Sequence, residues 1–187
     1  MELAGPLADT GLMPVSESAV IVPVPEAERV VGRFRSECDS AARLGVPAHV
    51  TVISPFVPPD RVDTNLISAL AAVIESVAVF DVTFTRTRWF GDRVLWLAPE
   101  PVAAFVGLIR AVWERFPDCP PYGGAHEDVV PHLTIGHDQE AGTLQAAARA
   151  IEPLLPVTTQ VTEALLMQGS AEPGSWHTIA QLPLRSG

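Results

Sequence analysis

Lysine does not occur in this chain: all 12 basic side chains are arginine, set against 22 acidic ones, for a formal charge of −10. The absence of lysine reads first as GC-rich coding and not as a functional feature. The excess of acid argues against attachment to long nucleic acid, because affinity for that backbone grows with the number of phosphates neutralised. A nucleic-acid-like substrate has to be small, or presented as an end. Cysteine is scarce too, with Cys38 and Cys119 alone. Two isolated thiols exclude a disulfide framework, and they suit a reducing compartment. Long apolar runs are missing: none approaches the roughly 20 residues that a membrane-spanning helix needs. Residues 1–6, Met-Glu-Leu-Ala-Gly-Pro, lack the positive region and apolar core of a secretory signal. The helices carry no basic amphipathic stripe for a membrane surface. The expected location is the cytoplasm.

What is present is the patterning of a packed protein, 187 residues long and 48% hydrophobic. Residues 1–17 have no period and read as a loose arm, leaving 18–187 as a single bilobal domain. Strands are expected over 19–24, 49–54, 80–90, 93–98, 130–136, 157–167 and 176–184, from short apolar or alternating runs bounded by Pro and Gly. Helices are expected over 26–39, 62–77, 102–116 and 140–152, from apolar residues at helical spacing. A long loop spans 117–129. The simplest account is one strand-helix-strand-helix-strand unit used twice. The fold class is then α+β and bilobal, with two pseudo-symmetric, antiparallel-rich sheets facing a central cleft and helices outside.

One pattern occurs twice. His49-Val50-Thr51 and His132-Leu133-Thr134 each lie in an expected strand, shortly after Pro47 and Pro131. Side chains alternate across a strand, so each segment buries aliphatics on one face and presents an imidazole and a hydroxyl on the other. Gly136 continues the polar face of the second strand and is expected to leave room for a ligand; Ile53 holds the matching place in the first. An imidazole pair suits a reaction that needs one base and one acid, because the ordinary pKa of about 6.5 lies near working pH. Paired hydroxyls suit the charge that builds on phosphoryl oxygens.

These segments resemble the paired His-apolar-Ser/Thr signatures of the two-histidine (2H) phosphoesterase superfamily. The stretches Val46-Pro-Ala-His-Val-Thr-Val-Ile-Ser-Pro-Phe56 and Val129-Val-Pro-His-Leu-Thr134 are similar to its bacterial 2′-5′ RNA ligase-like branch. The resemblance runs over about residues 18–184. It implies the bilobal fold, no metal, no cofactor, and phosphodiester chemistry on a terminal or cyclic ribose phosphate. His49 and His132 become the catalytic pair, and Thr51 and Thr134 the substrate-binding hydroxyls. Many relatives carry tyrosine where Ser54 stands, and some carry Arg or Lys soon after either motif; this chain has Ser54 and His137 there instead. The partner implied is a small nucleotide or RNA-terminal phosphodiester; the oligomeric state is left unassigned. The alternative is a nucleotide- or RNA-end-binding module that keeps the groove without effective catalysis.

Other residues have weaker claims. Arg88, on the face expected to carry Phe80, Val82 and Phe84, is either a substrate-binding cation or a solvated strand end. Tyr122, in Pro120-Pro-Tyr-Gly-Gly124, is either a stacking partner for a base or a packed loop residue. Trp89 and Trp96 read as core or edge packing. His126 reads as an exposed loop residue, and His137 falls opposite His132 if its strand stays regular. His177 has no evident partner. No HExxH or CxxC spacing supports a metal site.

Overall fold

Eight strands and five helices alternate along the computed structural model, which describes residues 16–124 and 129–186. The strands are β1 (Glu17–Pro23), β2 (His49–Ile53), β3 (Phe80–Phe90), β4 (Val94–Glu100), β5 (Leu133–His137), β6 (Val157–Val161), β7 (Glu163–Gly169) and β8 (His177–Pro183). The helices are α1 (Pro25–Cys38), α2 (Ser40–Leu44), α3 (Thr64–Ser76), α4 (Val102–Arg115) and α5 (Ala141–Ile151). The expected arm lies outside the described residues except for Ser16 and Glu17, and Glu17 already opens β1.

Local chemistry sets the helix starts. Pro25 occupies the first turn of α1, where a missing N–H costs nothing, and Glu26 and Glu28 complement the positive end of the helix. Asp39 caps α2 by accepting from the Ala41 N–H at 3.0 Å, and Asp63 caps α3 by accepting from Leu66 at 2.8 Å. Gly45, in the left-handed region at φ 102°, ends α2 and turns the chain toward β2.

The strands form two antiparallel four-stranded sheets, β2-β1-β7-β8 and β5-β4-β3-β6. Each carries a His-Thr strand at one edge, and these two edge strands, β2 and β5, adjoin. Helices α3 and α4 pack with β8 and β2 of the first sheet; α1 and α5 cover the second, with α1 against β5 and β6. A continuous core runs through Val20, Val50, Leu70, Phe84, Leu97, Phe105, Leu133 and Ile151.

One expectation is corrected and a second refined. The stretch expected as one strand over 157–167 is two. β6 pairs with β3 in the second sheet, while β7, starting after Thr162, pairs with β1 and β8 in the first. The burial changes accordingly: every second residue of β6 is buried, whereas β7 buries Ala164 to Met167 on both faces. The strand-helix-strand-helix-strand order does occur twice, as β1-α1-β2-α3-β3 and β4-α4-β5-α5-β6, but the two units interlock and do not form one sheet each. β3 joins the second sheet, and α1 and α4 each cover the sheet that their flanking strands do not belong to. The pseudo-symmetry lies in sheet order, with a His-Thr edge strand beside a strand ending near Pro-Glu.

Candidate active site

The alternation within β2 and β5 places the histidines as the sequence implied. Val50, Val52, Leu133 and Ile135 are buried in the core, while His49, Thr51, His132 and Thr134 are half-buried on the opposite faces. Both imidazoles are anchored alike. His49 Nδ1 lies 2.7 Å from the Pro47 carbonyl oxygen, and His132 Nδ1 lies 2.7 Å from that of Val130. A carbonyl only accepts, so Nδ1 carries the proton and Nε2 is the acceptor nitrogen of the neutral ring. In both lobes that carbonyl belongs to the residue two before the histidine, so the same short turn fixes each ring's tautomer and orientation.

Around these matching anchors the two surroundings differ. Behind His49 is a polar cluster that the sequence analysis missed. Arg35 and Asp39, both fully buried, are joined by Nε and Nη2 of Arg35 donating to Asp39 Oδ2 at 3.1 and 2.9 Å. Arg35 Nη2 also donates to the Val46 carbonyl at 3.3 Å, and Nη1 lies 3.6 Å from Glu28 Oε1. Glu28 in turn accepts from the Ala48 N–H at 2.6 Å. The turn whose Pro47 carbonyl holds His49 is thus clamped on both sides by α1. The available signal was an arginine on the apolar face of α1, beside Val31, with an acid four residues on.

His49 titrates far below the ordinary range, pushed down to about 4. Burial is the main cause and the Arg35 guanidinium the next; the Pro47 carbonyl and Asp39 oppose them, and a charged His132 adds to the fall. His49 is therefore neutral across the physiological range.

His132 sits among aromatic rings instead. Phe90 meets it edge-to-face at 5.0 Å between centroids, Trp96 at 5.7 Å, and Tyr122 lies nearly parallel at 6.1 Å. Phe90 and Trp96 also stack on each other at 4.7 Å. Tyr122 is held in the left-handed region at φ 53° beside Gly123, and burial pushes its hydroxyl up to about 12, so it stays un-ionised. Trp96, read from the sequence as core or edge packing, is buried and also neighbours His132; Trp89 packs against the core.

β-Bulges explain why sequence parity misjudged several faces. Between Phe84 and Thr87 the β3–β4 register shifts, so the residues beyond it exchange faces. Arg88 consequently lies opposite Trp96, on the face away from Val82 and Phe84, and not with them as expected. Trp96 is opposite Thr134, so Arg88, Trp96 and Thr134 form one cross-strand row beside His132. A second shift, between Leu95 and Trp96, matches Gly136 to Leu95 and Thr134 to Trp96. Gly136 therefore does not open space for a ligand: a Cβ there would stand 2.6 Å from Cys38 Cβ and 2.9 Å from Leu144 Cδ2. It lets the helices approach the strand. His137 turns to the α1–α2 junction, with Nε2 3.0 Å from Ser40 Oγ and 3.6 Å from Asp39 Oδ1. His177 is exposed on β8, at the edge of the first sheet remote from β2. His126 lies outside the described residues. Among the described residues, no three His, Cys, Asp or Glu side chains cluster as metal ligands, and no helix is long and apolar enough to cross a membrane.

With this geometry in view, comparison with known proteins is informative. Residues 22–172 match the model of the 2′-5′ RNA ligase superfamily. A sequence comparison with curated proteins finds no match. Similar solved structures include E. coli LigT in apo form, with 18% identity and a TM-score of 0.59 over 92% of this chain and 99% of that one. LigT complexed with 3′-AMP has 19% identity and a TM-score of 0.56 over 91% and 99%. TT0787 of Thermus thermophilus has 15% identity and a TM-score of 0.56 over 91% and 98%. At these identities the structures speak for the α+β fold.

Proposed function

The chain belongs to the 2′-5′ RNA ligase superfamily, and on that footing we propose that it is a metal-independent phosphodiesterase acting on a small 2′,3′-cyclic phosphate or RNA-end phosphodiester. The observation that carries this reading is the pair of equivalently anchored imidazoles at adjoining sheet edges, His49 opening β2 on the Pro47 carbonyl and His132 immediately before β5 on that of Val130. Binding alone would not call for two titratable rings with fixed tautomers, which sets the catalytically weak module second. LigT structures complexed with 3′-AMP, ATP and NADP+ support a small nucleotide as ligand.

The two environments divide the work. His49, kept neutral by burial and Arg35, acts as the base: its Nε2 removes a proton from water as the water oxygen bonds to phosphorus. His132, in its cationic form beside the Phe90 and Trp96 rings, is the acid. Its Nε2–H protonates the ribose oxygen as the P–O bond to that oxygen breaks. The open monoester leaves, and exchange with solvent returns one proton to His132 and removes one from His49. Thr51 and Thr134, each two residues along from its histidine, donate to the non-bridging oxygens where negative charge grows. Arg88, in the row with Thr134, adds positive charge, and Tyr122 holds the His132 ring and offers a face to a base. The cell compartment proposed is the cytoplasm.

Incubation with nucleoside 2′,3′-cyclic phosphates in a chelator, followed by phosphorus NMR, tests this directly. Product is expected, and His49→Ala and His132→Ala should each lower turnover by roughly 10² or more. Undiminished hydrolysis in both variants would remove the assignment; saturable binding without product would favour the binding module.

A further inference from the structure

Away from the His49–His132 pair, a third imidazole is held between a hydroxyl and a carboxylate. His137 ends β5, Asp138 follows it, and Ser40 is the first residue of α2. His137 Nε2 lies 3.0 Å from Ser40 Oγ, and its Nδ1 lies 3.4 Å from Asp138 Oδ2. A carboxylate only accepts, so Nδ1 carries the proton and Nε2 accepts from the Ser40 O–H. Asp39 Oδ1 is farther from Nε2, at 3.6 Å, and already accepts from the Ala41 N–H. The hydroxyl is therefore the group that meets the basic nitrogen.

Asp138 is fixed in its turn. Arg93 donates to its Oδ1 through Nε, at 2.9 Å, and through Nη2, which leaves Oδ2 for the imidazole. The Arg93 hydrogen bond, with that of His137 next, holds the Asp138 carboxyl below the usual range, so it is ionised at neutral pH. Neither secondary structure depends on the Ser40–His137 bond: Asp39 caps α2, and β5 is held by its pairing with β4. Ser40 and His137 are half-buried and Asp138 is exposed, so a small molecule in solution can reach the serine oxygen. Arg43, exposed and three residues after Ser40 in α2, lies on the same side of that helix and brings positive charge.

We propose that Ser40, His137 and Asp138 form a second site, of serine-esterase type, with Ser40 as nucleophile, His137 as base and Asp138 as the positioning residue for the ring. As Ser40 Oγ bonds to the carbonyl carbon of an ester, its proton passes to His137 Nε2, and the negative charge on the carbonyl oxygen is met by Arg43. The C–O bond to the alcohol then breaks, and the alcohol leaves with the proton from Nε2. Water attacks the acyl-serine and gives a proton to Nε2, which returns it to Ser40 Oγ as the carboxylic acid departs. The site is open and offers little surface to a large ligand, so its substrate class is the small activated ester with a short acyl group. This activity is separate from the one given under Proposed function and does not rest on it.

The test uses the intact chain and two probes. One is a reporter-tagged fluorophosphonate, whose fluoride leaves as phosphorus bonds to an activated serine oxygen; the other is p-nitrophenyl acetate. Peptide mapping by mass spectrometry should find Ser40 labelled roughly tenfold or more faster than Ser36, an exposed serine of α1 whose hydroxyl bonds to the Arg33 carbonyl. Unfolding in urea should abolish that difference. His137→Gln should slow the labelling by roughly 10²-fold, the scale of a lost general base. Asp138→Asn should slow it too and Asp138→Glu restore it, a rescue that a merely structural role would not give. Ser40→Ala should lower kcat/KM for p-nitrophenyl acetate by roughly tenfold or more, while Ser36→Ala leaves it unchanged. Labelling of Ser40 no faster than that of Ser36 in the folded chain, or ester hydrolysis indifferent to Ser40→Ala, overturns the assignment whether or not cyclic phosphates are hydrolysed. The comparison of the two serines is made within the wild-type chain, so it decides the matter even where a variant fails to fold.

Discussion

Removing Arg35 and Asp39 together, as Arg35→Met with Asp39→Asn, should move the titration of His49 upward. In the wild type the ring sits at about 4 against an ordinary 6.5. At about 1.4 kcal/mol per decade, that gap corresponds to roughly 3 kcal/mol in favour of the neutral ring. Burial supplies the largest part and Arg35 the next, while Asp39 works in the other direction with smaller weight. The double variant should therefore titrate between the wild-type value and 6.5, and Asp39→Asn alone should titrate lower still. Arg35→Met alone is the poorer probe, since it strands a buried carboxylate at a cost of about 3–5 kcal/mol. The amide that Asp39→Asn introduces retains an oxygen to accept from the Ala41 N–H, which preserves the cap of α2. The sign for stability follows from the same values. Between about 6.5 and 4 the unfolded chain binds a proton that the folded His49 refuses, so stability declines as pH falls through that window. The assay is an NMR titration of the imidazole Cε1–H, assigned with His49→Gln, beside urea unfolding at about pH 7 and about pH 5, on either side of the ordinary histidine pKa. A wild-type ring titrating near 6.5, or one indifferent to the Arg35–Asp39 pair, refutes the account of why His49 is the base.

Three further outcomes follow from the same geometry. Thr51→Val and Thr134→Val should each lower kcat by about 10²-fold with little change in KM, as loss of a donor to a charged transition state does; equal losses in KM would mean ground-state binding instead. With His49 as base at about 4, kcat/KM should rise with pH to a plateau above that value and fall again as His132 loses its proton. A profile whose acid limb lies near 6.5 would contradict the role. Gly136→Ala should destabilise the fold by about 1–3 kcal/mol in urea melts, because the added methyl meets Cys38 and Leu144 inside van der Waals distance. Unchanged stability would show that α1 moves away without cost.

Some of this could be read along the chain because it depends on local period. Strand alternation placed His49 with Thr51 and His132 with Thr134, and apolar residues at helical spacing marked α1. Three-dimensional packing decided the remainder. A bulge adds one residue opposite a partner strand, and every face beyond it inverts; nothing local marks Phe84–Thr87 or Leu95–Trp96 as such places. That is why Arg88 and Trp96 joined His132 and why Gly136 turned toward the helices. The 157–167 stretch divides for a separate reason, because β6 pairs with β3 while β7 pairs with β1 and β8. Arg35 shows the same limit: its burial is tolerable only because Asp39, Glu28 and the Val46 carbonyl converge on it, and convergence of that kind exists only once the chain has folded.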